Sequence, residues 1–183
     1  NINPLGISEG VRAAIISEIQ FCDRYPDHFS VRLREKIGEY EGVKPEWIYC
    51  GNGASDIIFR LPMALRSNEV LVTAPTFADY ERAALSFGSS VKRYTLLPEQ
   101  GFRLDDGIID MIHSYKPSML YLCNPNNPTG VLIECCLLER ILSCCKDVGT
   151  YVIIDECFID FTEHAQDSSC KRFLGFYDNL VIL

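Results

Sequence analysis

The sequence has little of what several common classes of protein need. It contains no apolar run long enough to cross a membrane, and its start has no signal-peptide pattern. Basic residues are outnumbered, with 17 Lys and Arg against 25 Asp and Glu and a net charge of −8. Surfaces that bind nucleic acid or anionic membranes need a basic patch, so we expect neither kind of partner.

The nine cysteines include no C-x-x-C pair, and their number is odd. Zinc sites and redox motifs are therefore poorly supported, and we expect no metal site. Two vicinal pairs, Cys135-Cys136 and Cys144-Cys145, lie in an apolar helical stretch, where cysteine acts as a small hydrophobic residue. We therefore expect reduced core thiols and a cytoplasmic location.

The composition is that of an ordinary soluble domain. The 183 residues are 48% hydrophobic and 23% charged, which is enough for one substantial α/β domain with a real core. Short β-branched or aromatic runs alternate with helical patterns. The predicted strands are Trp47–Cys50, Val70–Thr73, Val91–Thr95, Met119–Cys123, Tyr151–Asp155 and Leu180–Leu183. The predicted helices are Ser55–Leu65, Ala78–Phe87, Leu104–Ser114 and Cys135–Val148.

This alternation predicts an α/β fold in which a mostly parallel sheet lies between helices as a three-layer sandwich, with an N-terminal arm. Runs such as Tyr151–Ile154 are continuously apolar, which is typical of strands buried on both faces. We expect residues 1–30 to form the arm or part of a small domain. Residues 31–183 are predicted to form the large domain, incomplete at its C-terminal end.

Ligands of open parallel sheets bind beyond the carboxyl ends of the strands. Four segments of this sequence are predicted to converge there: Gly51–Ser55, Ala74–Phe77, Asn124–Gly130 and Asp155–Glu156. In the first, glycines allow close approach of a ligand, and a helix N-terminus attracts phosphate. Ser55 is a candidate N-cap. A plain turn with a cap explains that segment equally well, and Asp56 stands where a dinucleotide motif needs its third glycine.

The other segments are more specific. Two prolines and a glycine fix the path of Asn124–Gly130, which could hold the Asn127 carboxamide rigidly, although a purely structural turn is the alternative. Asp155 follows four apolar residues, and a buried carboxylate needs a cationic partner. A protonated pyridine nitrogen is one such partner; a helix cap or an ion pair with Arg or Lys are the alternatives.

These residues resemble the aspartate-aminotransferase fold type of pyridoxal-phosphate (PLP) enzymes, in class I and II of the aminotransferases. The likeness is to the histidinol-phosphate aminotransferase and threonine-phosphate decarboxylase branch. The motifs that carry it run in family order along nearly the whole chain. They are N-I-N-P-L-G at Asn1–Gly6, R-Y-P-D at Arg24–Asp27, G-N-G-A-S at Gly51–Ser55, A-P-T-F-A-D-Y-E-R at Ala74–Arg82, N-P-N-N-P-T-G at Asn124–Gly130 and D-E-C-F-I-D-F at Asp155–Phe161.

The resemblance implies a role for each candidate residue. Residues Gly53, Ala54 and Ser55 would hold the PLP phosphate, and Phe77 would stack on the pyridine ring, although it could equally be a core phenylalanine. Asn127 would bond the ring's 3′ oxygen and lie near the substrate, and Asp155 would keep the ring nitrogen protonated. The family forms its active sites at a homodimer interface, so Tyr25 would reach the cofactor phosphate of the neighbouring subunit. Gly6 would lie near a small phosphorylated amino-acid substrate.

The sequence departs from the family pattern in two places. The Schiff-base lysine of the family lies beyond the position of Leu183, and no lysine in this chain has a matching context, so we expect no catalytic residue here and an inactive fragment of a longer enzyme. Phe158 stands where the aminotransferases of this branch usually carry a tyrosine, which resembles the decarboxylase pattern.

The resemblance therefore favours decarboxylation of L-threonine O-3-phosphate to (R)-1-aminopropan-2-yl phosphate in cobalamin biosynthesis. Histidinol-phosphate aminotransferase, or a related class I/II aminotransferase, is the first alternative. A non-catalytic fragment that binds PLP or another phosphate is the second. A nicotinamide-binding domain is a third, but it leaves Asn124–Gly130 unexplained.

Overall fold

The computed structural model describes residues 5–183, which divide into two compact units, the first ending at Cys50 and the second running from Gly51 to Leu183. Asn1, and with it the first four positions of the N-I-N-P-L-G motif, lies outside the described residues. The functional division into an arm over residues 1–30 and a large domain over 31–183 stays a prediction. No helix in the described part of the chain is long and apolar enough to cross a membrane.

The first unit is helical. Its helices are α1 (Glu9–Glu18) and α2 (Val31–Glu41), with 3-10 turns at Ile19–Phe21 and Pro45–Trp47. The Asp27 carboxylate accepts hydrogen bonds from the backbone amides of Phe29 and Val31, at 3.0 and 2.6 Å, just before α2 begins. These two bonds hold the pKa of Asp27 below its usual value.

The strand predicted at Trp47–Cys50 is wrong. The amides of Trp47 and Ile48 donate to the carbonyls of Lys44 and Pro45 at 2.9 and 3.1 Å, which closes a turn. Pro45 favours this turn because its ring fixes φ at a helical value. The segment Trp47–Cys50 therefore pairs with no strand in residues 5–183, in spite of its β-branched and aromatic residues. As a result, Gly51–Ser55 does not follow a strand.

The second unit contains a five-stranded sheet in which every pair of neighbouring strands is parallel. The order across the sheet is β2-β1-β3-β4-β5. The strands are β1 (Glu69–Ala74), β2 (Ser90–Thr95), β3 (Met119–Cys123), β4 (Tyr151–Asp155) and β5 (Leu180–Ile182). The other five predicted strands are thus confirmed to within one residue at each end.

Helices connect these strands. They are α3 (Gly53–Ala64), α4 (Asp79–Phe87), α5 (Gly107–Tyr115), α6 (Cys135–Val148) and the short α7 (Ala165–Ser168). Helices α4 and α6 end at Gly88 and Gly149, whose φ angles of +91° and +79° favour glycine. The four predicted helices are confirmed, although α5 begins three residues later than predicted.

The core lies on both faces of the sheet, because alternate residues of each strand point to opposite sides. On one face, Leu71, Leu120 and Val152 pack in a cluster with residues of α5 and α6. On the other face, Val72 and Ile153 pack with residues of α3 and α4. Helices therefore cover both faces, and the predicted α/β sandwich with a parallel sheet is confirmed.

The cysteines divide between core and surface. Cys144 and Cys145 are buried in α6, whereas Cys135 and Cys136, in the first turn of the same helix, are exposed. Cys170 is also buried in the cluster that α6 helps to form. The role of a small hydrophobic residue therefore holds for the second vicinal pair and not for the first.

Candidate functional site

Three of the four predicted segments lie at one edge of the sheet. Strands β1, β3 and β4 are neighbours and parallel, so the loops that follow them all leave from the same edge. These loops carry Phe77, Asn127 and the residues after Asp155. The predicted convergence is therefore present for the loops of these three strands.

The loop after β3 is tied to the loop after β1 through Asn126. Its amide nitrogen donates to the Pro75 carbonyl at 3.0 Å and to the Thr129 hydroxyl at 2.9 Å. Its amide oxygen accepts from the Thr76 hydroxyl at 2.9 Å. Because Asn126 is only 6% exposed, these bonds satisfy a buried polar group and fix one loop against the other.

Asn127 is held by its backbone and not by its side chain. Its backbone N–H bonds the Cys123 thiol, while burial raises the pKa of that thiol. Within residues 5–183 the Asn127 carboxamide has no hydrogen-bond partner, and the residue is half-buried. Its oxygen and nitrogen are therefore available to a ligand.

Asp155 ends β4 and is 4% exposed. Its Oδ2 accepts a hydrogen bond from the Tyr80 hydroxyl at 2.7 Å, and its Oδ1 accepts one from the Cys157 amide at 3.0 Å. Both donors are neutral, and no Arg, Lys or His in the described part of the chain forms an ion pair with Asp155. The site thus keeps a buried carboxylate in need of a cation.

Tyr80 connects this carboxylate to two other aromatic rings. Its ring stacks on Tyr121 with centroids 5.0 Å apart and planes 8° from parallel. The Phe77 and Tyr80 rings form a T-shaped pair, with centroids 5.6 Å apart and planes at 76°. Burial and the charge of Asp155 raise the pKa of Tyr80, so its hydroxyl stays a neutral donor. Phe77 itself is half-buried, and part of its ring is open to a ligand.

The fourth predicted segment forms the start of α3. Asn52 occupies the N-cap position, and its side chain makes no capping bond. Gly53 has a φ of +79°, and a Cβ built on it meets nothing within 4 Å, so there is open space beside the helix terminus. An uncapped helix N-terminus with open space beside it suits a phosphate group.

Ser55 lies in the first turn of α3, so the prediction that it is the N-cap is wrong. Its hydroxyl donates to Asp79 Oδ2 at 3.2 Å instead of to a backbone group. The Asp79 carboxylate also pairs with Arg82 at 3.4 Å, and its side chain is 19% exposed. An acidic group therefore stands beside the candidate phosphate position.

Gly6 and Tyr25 belong to the first unit, where both are exposed. Gly6 has a φ of +69°, which favours glycine, and Tyr25 is 94% exposed. Their roles toward substrate and toward a neighbouring subunit stay predictions.

The loop after β4 carries Phe158, which is half-buried and lies with its ring centroid 6.1 Å from that of Phe161. Its side chain offers no hydroxyl toward the site. The next acidic residue, Glu156, is buried and accepts bonds from the Ser169 hydroxyl and the Cys170 amide, both at 2.7 Å. Glu156 therefore ties this loop to the segment that follows α7.

Four residues at this edge were missed from the sequence. Tyr80 and Asp79 lay inside the A-P-T-F-A-D-Y-E-R motif without an assigned role, as did Thr76, and Asn126 lay inside N-P-N-N-P-T-G. The sequence alone gave no signal for Tyr80, because its burial, and with it the need of its hydroxyl for a partner, follows from tertiary packing. In residues 5–183, no group of three or more His, Cys, Asp or Glu could hold a metal ion.

Comparison with known proteins agrees with this geometry. The family model for class I and II aminotransferases matches residues 1–183. The chain is 37% identical over 166 residues to a threonine-phosphate decarboxylase from Salmonella typhimurium, which covers 90% of this chain and 45% of that protein. The chain spans about half the length of the curated relatives it matches.

Solved structures share the fold along the full chain. A histidinol-phosphate aminotransferase from Clostridium acetobutylicum superposes with a TM-score of 0.85 at 32% identity, covering 100% of this chain and 53% of that one. A histidinol-phosphate aminotransferase from Sinorhizobium meliloti, solved in complex with pyridoxal-5′-phosphate, has a TM-score of 0.84 at 17% identity, with coverages of 100% and 49%. The second likeness concerns the fold alone.

Proposed function

Because the chain belongs to the class I and II aminotransferase family, we propose that it binds PLP at the edge formed by the loops after β1, β3 and β4. PLP is the cofactor of this family. The proposal places the ring nitrogen against Asp155 and the phosphate at the start of α3.

The observation that carries the proposal is the environment of Asp155. A carboxylate that is 4% exposed and, among the residues that the structure describes, bonded only to the neutral donors of Tyr80 and Cys157 costs free energy to bury. A pyridinium N–H would supply both the missing positive charge and a third hydrogen bond. The residues present therefore fit this cofactor.

Three other features support the same placement. The half-buried ring of Phe77 could cover one face of the pyridine ring. The unpartnered carboxamide of Asn127 could donate to the 3′ oxygen and reach the substrate. The open space at Gly53, with the amides of Ala54 and Ser55 in the first helical turn, could hold the phosphate.

When bound, the cofactor supplies an electron sink for a carbanion at the substrate Cα. The residues of this chain set the conditions for that chemistry. Asp155 holds a proton on the ring nitrogen, because its negative charge favours the protonated form. Phe77 fixes the plane of the ring, and Asn127 orients it through the 3′ oxygen.

For the whole protein we propose decarboxylation of L-threonine O-3-phosphate to (R)-1-aminopropan-2-yl phosphate, as in cobalamin biosynthesis. The 37% identity to the Salmonella threonine-phosphate decarboxylase supports it. Phe158 supports it as well, since the loop offers no hydroxyl where the related aminotransferases usually carry one. A cytoplasmic homodimer, with Tyr25 of each subunit at the neighbour's cofactor, belongs to the same proposal.

Transamination of histidinol phosphate is the second candidate function. It is favoured by the 32% identity and the TM-score of 0.85 to the Clostridium acetobutylicum enzyme. Both candidate substrates carry a phosphate and an amino group, so a shared cofactor site is expected under either reaction.

The test uses the protein produced from the complete gene. PLP is titrated first and followed by absorbance, with NADH as the competing ligand. Carbon dioxide release from O-phosphothreonine supports the decarboxylase proposal. Turnover of histidinol phosphate that depends on 2-oxoglutarate and releases no carbon dioxide would replace it with the second candidate. PLP binding without either activity would favour a non-catalytic binding protein.

A further inference from the structure

Tyr80 is a buried side chain at the site to which the family resemblance assigns no role. It lies in the first turn of α4 and is fully buried, with an exposed fraction of 0%. Its hydroxyl donates to Asp155 Oδ2 at 2.7 Å, from a position 75 residues away in the sequence. The hydroxyl therefore donates its single proton, in a hydrogen bond, to the carboxylate of the candidate cofactor site.

The ring of Tyr80 touches the other candidate groups as well. It forms a T-shaped pair with Phe77 at a centroid distance of 5.6 Å, and it stacks on Tyr121 at 5.0 Å. Tyr121 in turn donates its hydroxyl to the Ile58 carbonyl of α3 at 3.1 Å. One side chain thus contacts both the residue proposed to stack on the cofactor ring and the residue proposed to pair with its nitrogen.

Tyr121 offers an internal comparison. Its side chain is the same, it is equally buried, and it belongs to the same stacked pair. Its hydroxyl, however, is bonded to a backbone carbonyl and not to Asp155. A merely structural buried tyrosine should behave like Tyr121, whereas a residue that acts on the site should not.

We propose that Tyr80 is a positioning residue that fixes the orientation of the Asp155 carboxylate toward the ring nitrogen. The bond from the Tyr80 hydroxyl limits rotation of the carboxylate about its terminal torsion, which is otherwise broad. The Cys157 backbone amide, two residues further along the chain, restrains the other carboxylate oxygen. This inference rests on the proposed PLP site and names the group that preorganises it.

The experiment compares Tyr80→Phe with Tyr121→Phe in the protein produced from the complete gene. Each change removes one buried hydroxyl and keeps the ring. PLP is titrated by fluorescence, and the circular dichroism band of the bound cofactor is recorded at saturation. We expect Tyr80→Phe to weaken PLP binding by about threefold to tenfold, the size of one ordinary net hydrogen bond, because Tyr80 acts on the cofactor only through Asp155. We also expect it to reduce the band to about half or less, because the ring is held less rigidly.

The Tyr121→Phe control should lower thermal stability to a similar degree and leave both cofactor readouts within about twofold of the unchanged protein. Equal effects of the two variants, or no effect of Tyr80→Phe on either readout, would overturn the positioning role. Failure of the proposed function looks different, because the unchanged protein would then not bind PLP at all.

Discussion

The two ends of the candidate cofactor site are built in different ways. At the ring end, Asp155 and Tyr80 are buried and bonded to each other at 2.7 Å. At the phosphate end, Gly53 and Ser55 are exposed, and the Ser55 hydroxyl is bonded to the acidic Asp79 at 3.2 Å. The ring end is therefore organised by the protein core, whereas the phosphate end must exchange a hydrogen-bond partner when a phosphate arrives.

The largest effect should follow from removing the charge at the ring end. We expect Asp155→Ala to abolish turnover of the complete gene product and to weaken PLP binding by about tenfold to hundredfold, because a charge-assisted bond contributes about 1.5–3 kcal/mol. The fold should persist, since Asp155 lies at a strand end beyond the apolar clusters. Turnover and PLP titration measure the effect, and far-ultraviolet circular dichroism checks the fold.

Asp110→Ala is the matched control, because Asp110 is exposed on α5. It should leave turnover and PLP affinity unchanged. Near-normal turnover of Asp155→Ala would mean that the ring nitrogen is not paired with this residue, and the contrast between the two ends would lose its basis.

The second effect is a loss of stability at high pH that originates at the ring end. Burial, with the charge of Asp155, raises the pKa of Tyr80, so the folded protein keeps a proton that the unfolded chain loses above about pH 10. The stability from this group is full below pH 10 and falls as the pH rises, by about 1.4 kcal/mol per pH unit. Urea unfolding between pH 8 and 11 measures this slope.

Tyr80→Phe should make that slope shallower but not flat, because burial also raises the pKa of Tyr94, of Tyr121 and of thiols such as Cys145 and Cys170. Tyr25→Phe, at a side chain that is 94% exposed, should leave the slope as it is. Parallel slopes for the unchanged protein and Tyr80→Phe would contradict this prediction, because they would mean that the Tyr80 hydroxyl ionises as readily in the folded protein as in the unfolded chain.

A smaller effect concerns Cys157, whose amide bonds Asp155. Partial burial of the sulfur and its hydrogen bond to Asp155 raise the pKa of the Cys157 thiol to about 12, although the residue as a whole is exposed. Asp155→Asn removes the negative charge, so more thiolate should form, and alkylation by iodoacetamide at pH 8 should be several-fold faster. Peptide mass spectrometry follows Cys157 separately from Cys22, an exposed thiol of the first unit that should react equally in both proteins. Unchanged alkylation of Cys157 would place its sulfur away from the carboxylate.

The same contrast explains how much could be predicted from the sequence. Strands such as Met119–Cys123 were predicted because a parallel strand buried on both faces is a continuous apolar run. Asp155 stood out for the same reason, as an acid at the end of such a run. The run Trp47–Cys50 has a similar composition, yet it forms no strand. This prediction failed because local composition does not reveal whether a partner strand is available.

The roles of Tyr80 and Asp79 could not be predicted in that way. The bond from Tyr80 to Asp155 spans 75 residues and that from Ser55 to Asp79 spans 24, so both depend on how α4 packs beside the sheet. Motifs identified the segments that meet at the edge. They gave no information on which side chain within a segment turns inward, because that depends on tertiary packing.

The smallest effect is expected at the phosphate end, where a substitution should strengthen PLP binding and not weaken it. Asp79 places a negative charge 3.2 Å from the Ser55 hydroxyl, beside the proposed phosphate position. Asp79→Asn removes this charge and keeps an oxygen that can still accept the Ser55 proton, so PLP affinity should rise by about twofold to fivefold, the size of a surface charge interaction. The gain should shrink as salt is raised from 0.01 to about 0.5 M, because salt screens exposed charges.

Asp110→Asn, the same change at an exposed position of α5, should give no gain at any salt concentration. Equal or weaker binding by Asp79→Asn at low salt would mean that the phosphate does not lie beside Asp79. The phosphate end would then have to be sought away from the start of α3, while the ring end at Asp155 would stand.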